Sequence, residues 1–166
     1  MTTRTLFLIR HAKSSWDNAY LADIERPLNP RGLRDAPEMG RRLAARGVRP
    51  DLLISSSAVR ALTTARLIAE QLAYPEERIV VDERLYAAEV ERLLEVISEI
   101  SAQHQTVLLF GHNPELTALA HRWDASIEHM PTCAVAQFEF DAPDWASAIQ
   151  SRPGLVWFNK PKQTED

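Results

Sequence analysis

A chain of 166 residues, 45% hydrophobic and 25% charged, can bury one sizeable core and is too ordinary in composition for a disordered or fibrous protein. Its 23 acidic residues outnumber 19 basic ones, a formal charge of −4, which argues against a generally basic nucleic-acid surface and makes any anion site local. The single cysteine, Cys133, excludes an intrachain disulfide, and no apolar run is long enough to span a bilayer.

The start "MTTRTLFLIR" lacks a signal-peptide core, so the expectation is a cytoplasmic protein, with residues 1–166 forming one domain. "TLFLI" (5–9) reads as a buried strand that ends abruptly in Arg10-His11. Residues 30–46 are helical by composition and stop at Gly47, with Pro37 predicting a kink or a late start. "LLI" (52–54) is the second strand, and Leu62, Ala65, Ala69 and Leu72 lie on one stripe of the helix after it. "RIVVD" (78–82) is the third strand. Val90, Leu93, Leu94, Ile97 and Ile100 mark the next helix, and "TVLLF" (106–110) the fourth strand. Leu116, Leu119, Ala120 and Trp123 form another apolar stripe. Cys133 reads as a small buried residue before the alternating "VAQFEF" (135–140). "LVWFN" (155–159) is a last strand, and "PKQTED" (161–166) a frayed tail.

Strand–helix alternation with continuously apolar strands implies an α/β fold of three layers. A mostly parallel central sheet carries helices on both faces, and the alternating C-terminal strands add an antiparallel edge. In such sheets ligands bind beyond the carboxyl ends of the strands. Arg10 and His11 close the first strand, "SSSAVRALTTA" (55–65) follows the second, "DERLY" (82–86) the third and "GHN" (111–113) the fourth. Ser56 or Ser57 is a good N-cap, which puts Arg60 in the first helical turn, where a cation opposes the helix dipole by roughly 0.3–1 kcal/mol. An anion shared between that helix end and the guanidinium would reverse the sign. Gly111 lets the chain turn after the fourth strand, and Asn113 or Pro114 begins the next helix, so His112 sits at the same edge as His11.

No HxxxH or HExxH spacing joins the histidines, so neither a metal nor a cofactor is expected. Loops of the GxxxxGK[ST], GxGxxG and GxSxG kinds are absent too, which argues against nucleotide-driven chemistry and an ordinary serine hydrolase. Two arginines suit the oxygens of a phosphoryl group, and a neutral histidine can attack phosphorus. Metal-free phosphoryl transfer through histidine is the chemistry the set supports. A catalytically silent phospho-binding module is the reading from a different class, although binding alone needs no nucleophile.

"LIRHAKSSW", "RPLNPRG" (26–32), "SSSAVRALTTA" and "GHNP" resemble, in order, the blocks of the histidine phosphatase (phosphoglycerate mutase-like) superfamily. Ala12 after the histidine and the compact chain are similar to the SixA-type phosphohistidine phosphatases. The resemblance implies His11 as nucleophile, with Arg10, Arg60 and His112 binding the phosphoryl group; His11 must be neutral to attack, and two neighbouring arginines should help by disfavouring its protonated form. It implies Glu83 as general acid, and the alternative reading of Glu83 is a solvated residue after a strand. Asp17 stands where mutase relatives place a phosphate-binding asparagine, but a carboxylate there would repel phosphate. Ser14 either binds phosphate or shapes the turn, Trp16 walls the pocket or packs beneath the loop, and Arg26 and Arg31 extend a positive rim or pair with Glu25 and Asp35. The expected substrate is phosphohistidine on a protein, such as a histidine-phosphotransfer domain. A small phosphorylated metabolite is the alternative.

Overall fold

Residues 2–162 are described in a computed structural model of the chain. The apolar runs become β1 (Thr3–Arg10), β2 (Leu52–Ser55), β3 (Val80–Val81), β4 (Thr106–Gly111), β5 (Val135–Asp141) and β6 (Leu155–Asn159), in one sheet of order β3-β2-β4-β1-β5-β6. The first four are mutually parallel, whereas β5 runs antiparallel to β1 and β6 antiparallel to β5. This is the expected three-layer fold with its antiparallel C-terminal edge.

β1 is paired on both edges, by β4 and β5, and covered on both faces by helices. Leu6 and Leu8 pack on one side with α3 (Val90–Ser98), α4 (Glu115–Trp123) and the short α5 (Trp145–Ala148). Phe7 and Ile9 pack on the other with α1 (Pro30–Ala45) and α2 (Val59–Gln71). Successive side chains of a strand point to opposite faces, so a continuous apolar run feeds both layers. Cys133 is fully buried in the second of these layers.

Three local expectations change. α1 continues through Pro37 without a break. Its C-terminus matches, with Gly47 at φ 78° taking the left-handed conformation that a helix stop favours. β3 shrinks to two exposed residues at the sheet edge, where Ile54 and Ser55 of β2 offer only two partners. The tail is tied to α1 as far as Pro161, since Arg42 donates to Asn159 Oδ1 and to the carbonyls of Lys160 and Pro161. Residues 163–166 lie outside the described residues.

The second sequence block seats the loop that follows β1. Asn29 caps α1 by accepting from the Gly32 amide at 2.9 Å, and its own amide donates to the Lys13 carbonyl. Ser15 N–H donates to Pro27 O, and Ser14 bridges Leu28. A Cβ on Gly32 would stand 2.2 Å from Lys13 O, so this approach tolerates no side chain. Gly32→Ala should therefore cost about 1–3 kcal/mol in urea unfolding and reduce activity by displacing residues 13–15; an unchanged midpoint would show that the seat is not tight.

Candidate active site

Parallel register brings the two histidines together. Arg10 pairs with Gly111, so the next residues, His11 and His112, leave neighbouring strands side by side. Their ring centroids are 5.2 Å apart at 52°. The backbone of His11 is held on both sides, its N–H donating to Gly111 O and its C=O accepting from Cys133 N–H. Its Nδ1 lies 2.7 Å from the Ala12 carbonyl, which can only accept. Nδ1 therefore carries the proton, and Nε2 keeps a lone pair.

Burial is the main force on both rings. It pushes His11 down to about 3; the Ala12 contact opposes it as the next-largest influence, and His112, Arg10 and Arg60 lower it further. His112 falls to about 4, again through burial first and Arg60 next. The arginines thus assist a neutrality that desolvation has already imposed.

Ser56 and Ser57 do not cap α2. Ala58 holds the N-cap position, and Ser56 Oγ accepts from the Ala58 amide at 3.2 Å while lying 2.8 Å from His112 Nε2. Asn113 secures the start of α4 by accepting from the amide and hydroxyl of Thr117. Arg10 donates to Met130 O at 3.1 Å, and burial together with Arg60 lowers its pKa. Arg10 Nε, Arg60 Nε and His112 Nδ1 are buried and have no hydrogen-bond partner among the described residues. Buried polar atoms are rarely left so, and three around one histidine mark a place for a polar ligand.

Asp23 joins this set. It lies in a single 3₁₀ turn, Asp23–Glu25, and its Oδ2 accepts from Arg60 Nη2 at 3.0 Å and from the Tyr86 hydroxyl at 2.6 Å. Its carbonyl accepts from Arg60 Nη1 at 2.7 Å, and its Oδ1 from Arg26 Nε at 3.2 Å. Tyr86 meets His112 edge-on at 5.6 Å. Asp23, Ser56 and Tyr86 are the site residues that sequence reasoning missed. The one signal was an acid three residues before the arginine of "RPLNPRG".

The Histidine phosphatase superfamily (branch 1) matches residues 6–86. An uncharacterised protein of Mycobacterium tuberculosis is 33% identical over 165 residues, covering 93% of this chain and 100% of the relative. This chain belongs to the histidine phosphatase superfamily. Among solved structures, it is similar to the SixA protein of Agrobacterium tumefaciens, named as a phosphohistidine phosphatase, at 29% identity and a TM-score of 0.76 over 83% of this chain and 92% of that one. It shares the fold of a protein histidine phosphatase SixA complexed with tungstate, at 22% identity and a TM-score of 0.79 over 95% and 97% of the two chains.

The other residues singled out in the sequence take different positions. Glu83 opens the 3₁₀ turn Glu83–Leu85 and is exposed on a groove of about 640 Å³ shared with Tyr86 and Arg92. Its charge is not among those that shift His11 or His112. Ser14 is buried in the loop seat, and Asp17 is exposed. Trp16 is 73% exposed, with the Arg26 guanidinium stacked 3.4 Å over its ring, so it does not pack beneath the loop. Arg26 pairs with Asp23 rather than Glu25, and Arg31 pairs with Asp35 as expected. Burial pushes the Cys133 thiol up and keeps it protonated. Among the described residues no group of three or more His, Cys, Asp or Glu could hold a metal ion, and no helix is long and apolar enough to cross a membrane.

Between the folded values of about 3 and 4 and the ordinary 6.5, the unfolded chain binds two protons that the folded one refuses. The stability these rings contribute is thus complete above pH 6.5 and lost as pH falls towards 4. Unfolding free energies at about pH 7 and about pH 4.5 should differ more for the wild type than for the His11→Asn/His112→Asn double variant. An equal loss in both would place the acid sensitivity elsewhere.

Proposed function

We propose that the chain is a metal-independent phosphohistidine phosphatase acting on a phosphorylated protein through a covalent intermediate on His11. The observation that carries the reading is the state of that ring. It is buried and neutral, with its proton committed to Ala12 and its Nε2 lone pair uncommitted, beside two arginines and His112.

His11 Nε2 forms a bond to phosphorus as the bond from phosphorus to the substrate's imidazole nitrogen breaks. Arg10, Arg60 and His112 donate to the equatorial oxygens and hold the charge that moves through the transition state. A substrate ring protonated on its far nitrogen leaves as neutral imidazole and asks no proton of the enzyme. Water then attacks the phosphorus of phospho-His11, phosphate departs, and one proton passes to solvent. The Nδ1–H on the Ala12 carbonyl lets His11 leave as a neutral imidazole in its turn.

The carboxylates around the pair favour a nitrogen leaving group. An alkoxide needs a proton donor, commonly worth 10²–10⁴-fold in rate. Asp23 is the carboxylate whose charge reaches His112, and the Tyr86 hydroxyl and Arg60 hold it down to about 2, so it has no proton to give at neutral pH. Ser14 is a further phosphate donor in this reading. Glu83, out on its groove, would serve only a minor ester activity.

The test is phosphate release from phosphohistidine and from p-nitrophenyl phosphate with EDTA present, beside His11→Ala and Glu83→Gln. Phosphohistidine should be the faster substrate, His11→Ala should abolish both activities, and Glu83→Gln should leave phosphohistidine turnover unchanged. A faster ester reaction that collapses in Glu83→Gln would instead identify a small-molecule phosphomonoesterase. Loss of activity with EDTA that an added divalent ion restores would refute metal independence.

A further inference from the structure

Arg60 does not offer an anion its whole guanidinium. One terminal nitrogen donates to the Asp23 carbonyl at 2.7 Å and the other to the Asp23 carboxylate at 3.0 Å, while Nε is buried without a partner. The same carboxylate oxygen takes the Tyr86 hydroxyl at 2.6 Å, and that ring stands against His112. One side chain thereby connects α2, the turn after β3 and the end of β4.

A carboxylate beside a phosphoryl site ought to repel its ligand. Here its charge is outweighed, because Arg60 and Arg26 both pair with it and Arg10 stands beyond Arg60. An arginine with rotatable side-chain bonds loses considerable entropy when it is fixed on a ligand, and a partner that holds it beforehand removes that cost from binding. A two-point grip on the end of the fork also sets the plane in which the Nε–H points.

We propose that Asp23 is a positioning residue of the phosphoryl site: it grips the terminal nitrogens of Arg60 and the hydroxyl of Tyr86, leaving the Nε–H edge of Arg60 to receive the phosphoryl oxygens. The proposal rests on the reading of Arg60 as a phosphoryl ligand. It predicts the opposite of simple electrostatics, since removing this negative charge weakens the binding of an anion.

The experiment is calorimetric titration with inorganic phosphate and steady-state turnover of p-nitrophenyl phosphate. The variants are Asp23→Ala, Asp23→Asn, Arg60→Ala and Asp23→Ala/Arg60→Ala, each checked for a native melting transition. Asp23 is an exposed residue of a surface turn, so these proteins should fold. Asp23→Ala should bind phosphate about tenfold to a hundredfold more weakly, the range for losing a hydrogen bond to a charged group, and should lower kcat with it. Asp23→Asn, which keeps an acceptor for both partners, should recover part of the loss. The double variant should be no worse than Arg60→Ala, because Asp23 acts through Arg60.

Unchanged or tighter phosphate binding by Asp23→Ala would overturn the proposal while leaving the phosphatase reading intact, and so would full additivity in the double variant. Phosphate binding by Arg60→Ala equal to the wild type's would overturn the underlying reading, and this proposal with it.

Discussion

The backbone of His11 is clamped between the end of β4 and the turn that leads into β5, its N–H on Gly111 O and its C=O accepting from Cys133 N–H. Everything at the site follows from that constraint. Because β1 is interior to the sheet, the ring emerges from a fully covered strand into buried surroundings, where charging it is costly. Because β4 runs parallel in register, the ring beside it is a second histidine under the same penalty. Two imidazoles that would be partly charged near neutrality in water are held neutral, and the permanent cations that act on them are the guanidinium groups of Arg10 and Arg60.

This division of labour has a chemical logic. Guanidinium groups hold negative charge at any working pH, so the histidines need not be protonated to help bind it, and one of them can remain a nucleophile. The polar atoms around the rings show the same economy: Ala12 fixes one tautomer, Ser56 meets the second ring, and Asp23 meets the end of Arg60. None of these three partners supplies a proton donor of the strength an alkoxide would require. The substrate class argued above comes from that deficit as much as from the nucleophile.

Much of this was legible in the amino-acid sequence, for reasons that differ by element. The interior strands declared themselves because burial on both faces demands unbroken apolar runs, and the polar residues closing β1 and β4 stood out against those runs. β3 was overdrawn because "RIVVD" carries strand-forming residues that a two-residue partner segment cannot pair. α1 runs through Pro37 because a proline removes one intrahelical bond, and the apolar face of Ala36, Met39 and Leu43 on the sheet outweighs that loss. The cap of α2 was misassigned because Ser56 is engaged with His112, a contact made across the sheet. Asp23 and Tyr86 stayed hidden for a related reason: "DERLY" stood out for Glu83 rather than Tyr86, Asp23 lies far from it in the chain, and only the fold brings the two side chains together.

Cys133 sits a single hydrogen bond from His11, through its amide and the His11 carbonyl, yet its thiol is sealed in the core and held protonated. Phosphatases that attack through a thiolate share a weakness, since the low-pKa sulfur that makes them reactive is also the atom that peroxide oxidises. This chain has one sulfhydryl, and it is neither ionised nor exposed. A nitrogen nucleophile has no sulfenic acid to form. With His11 as the attacking atom, as proposed above, phosphoryl transfer on this fold would not depend on the oxidation state of a thiol.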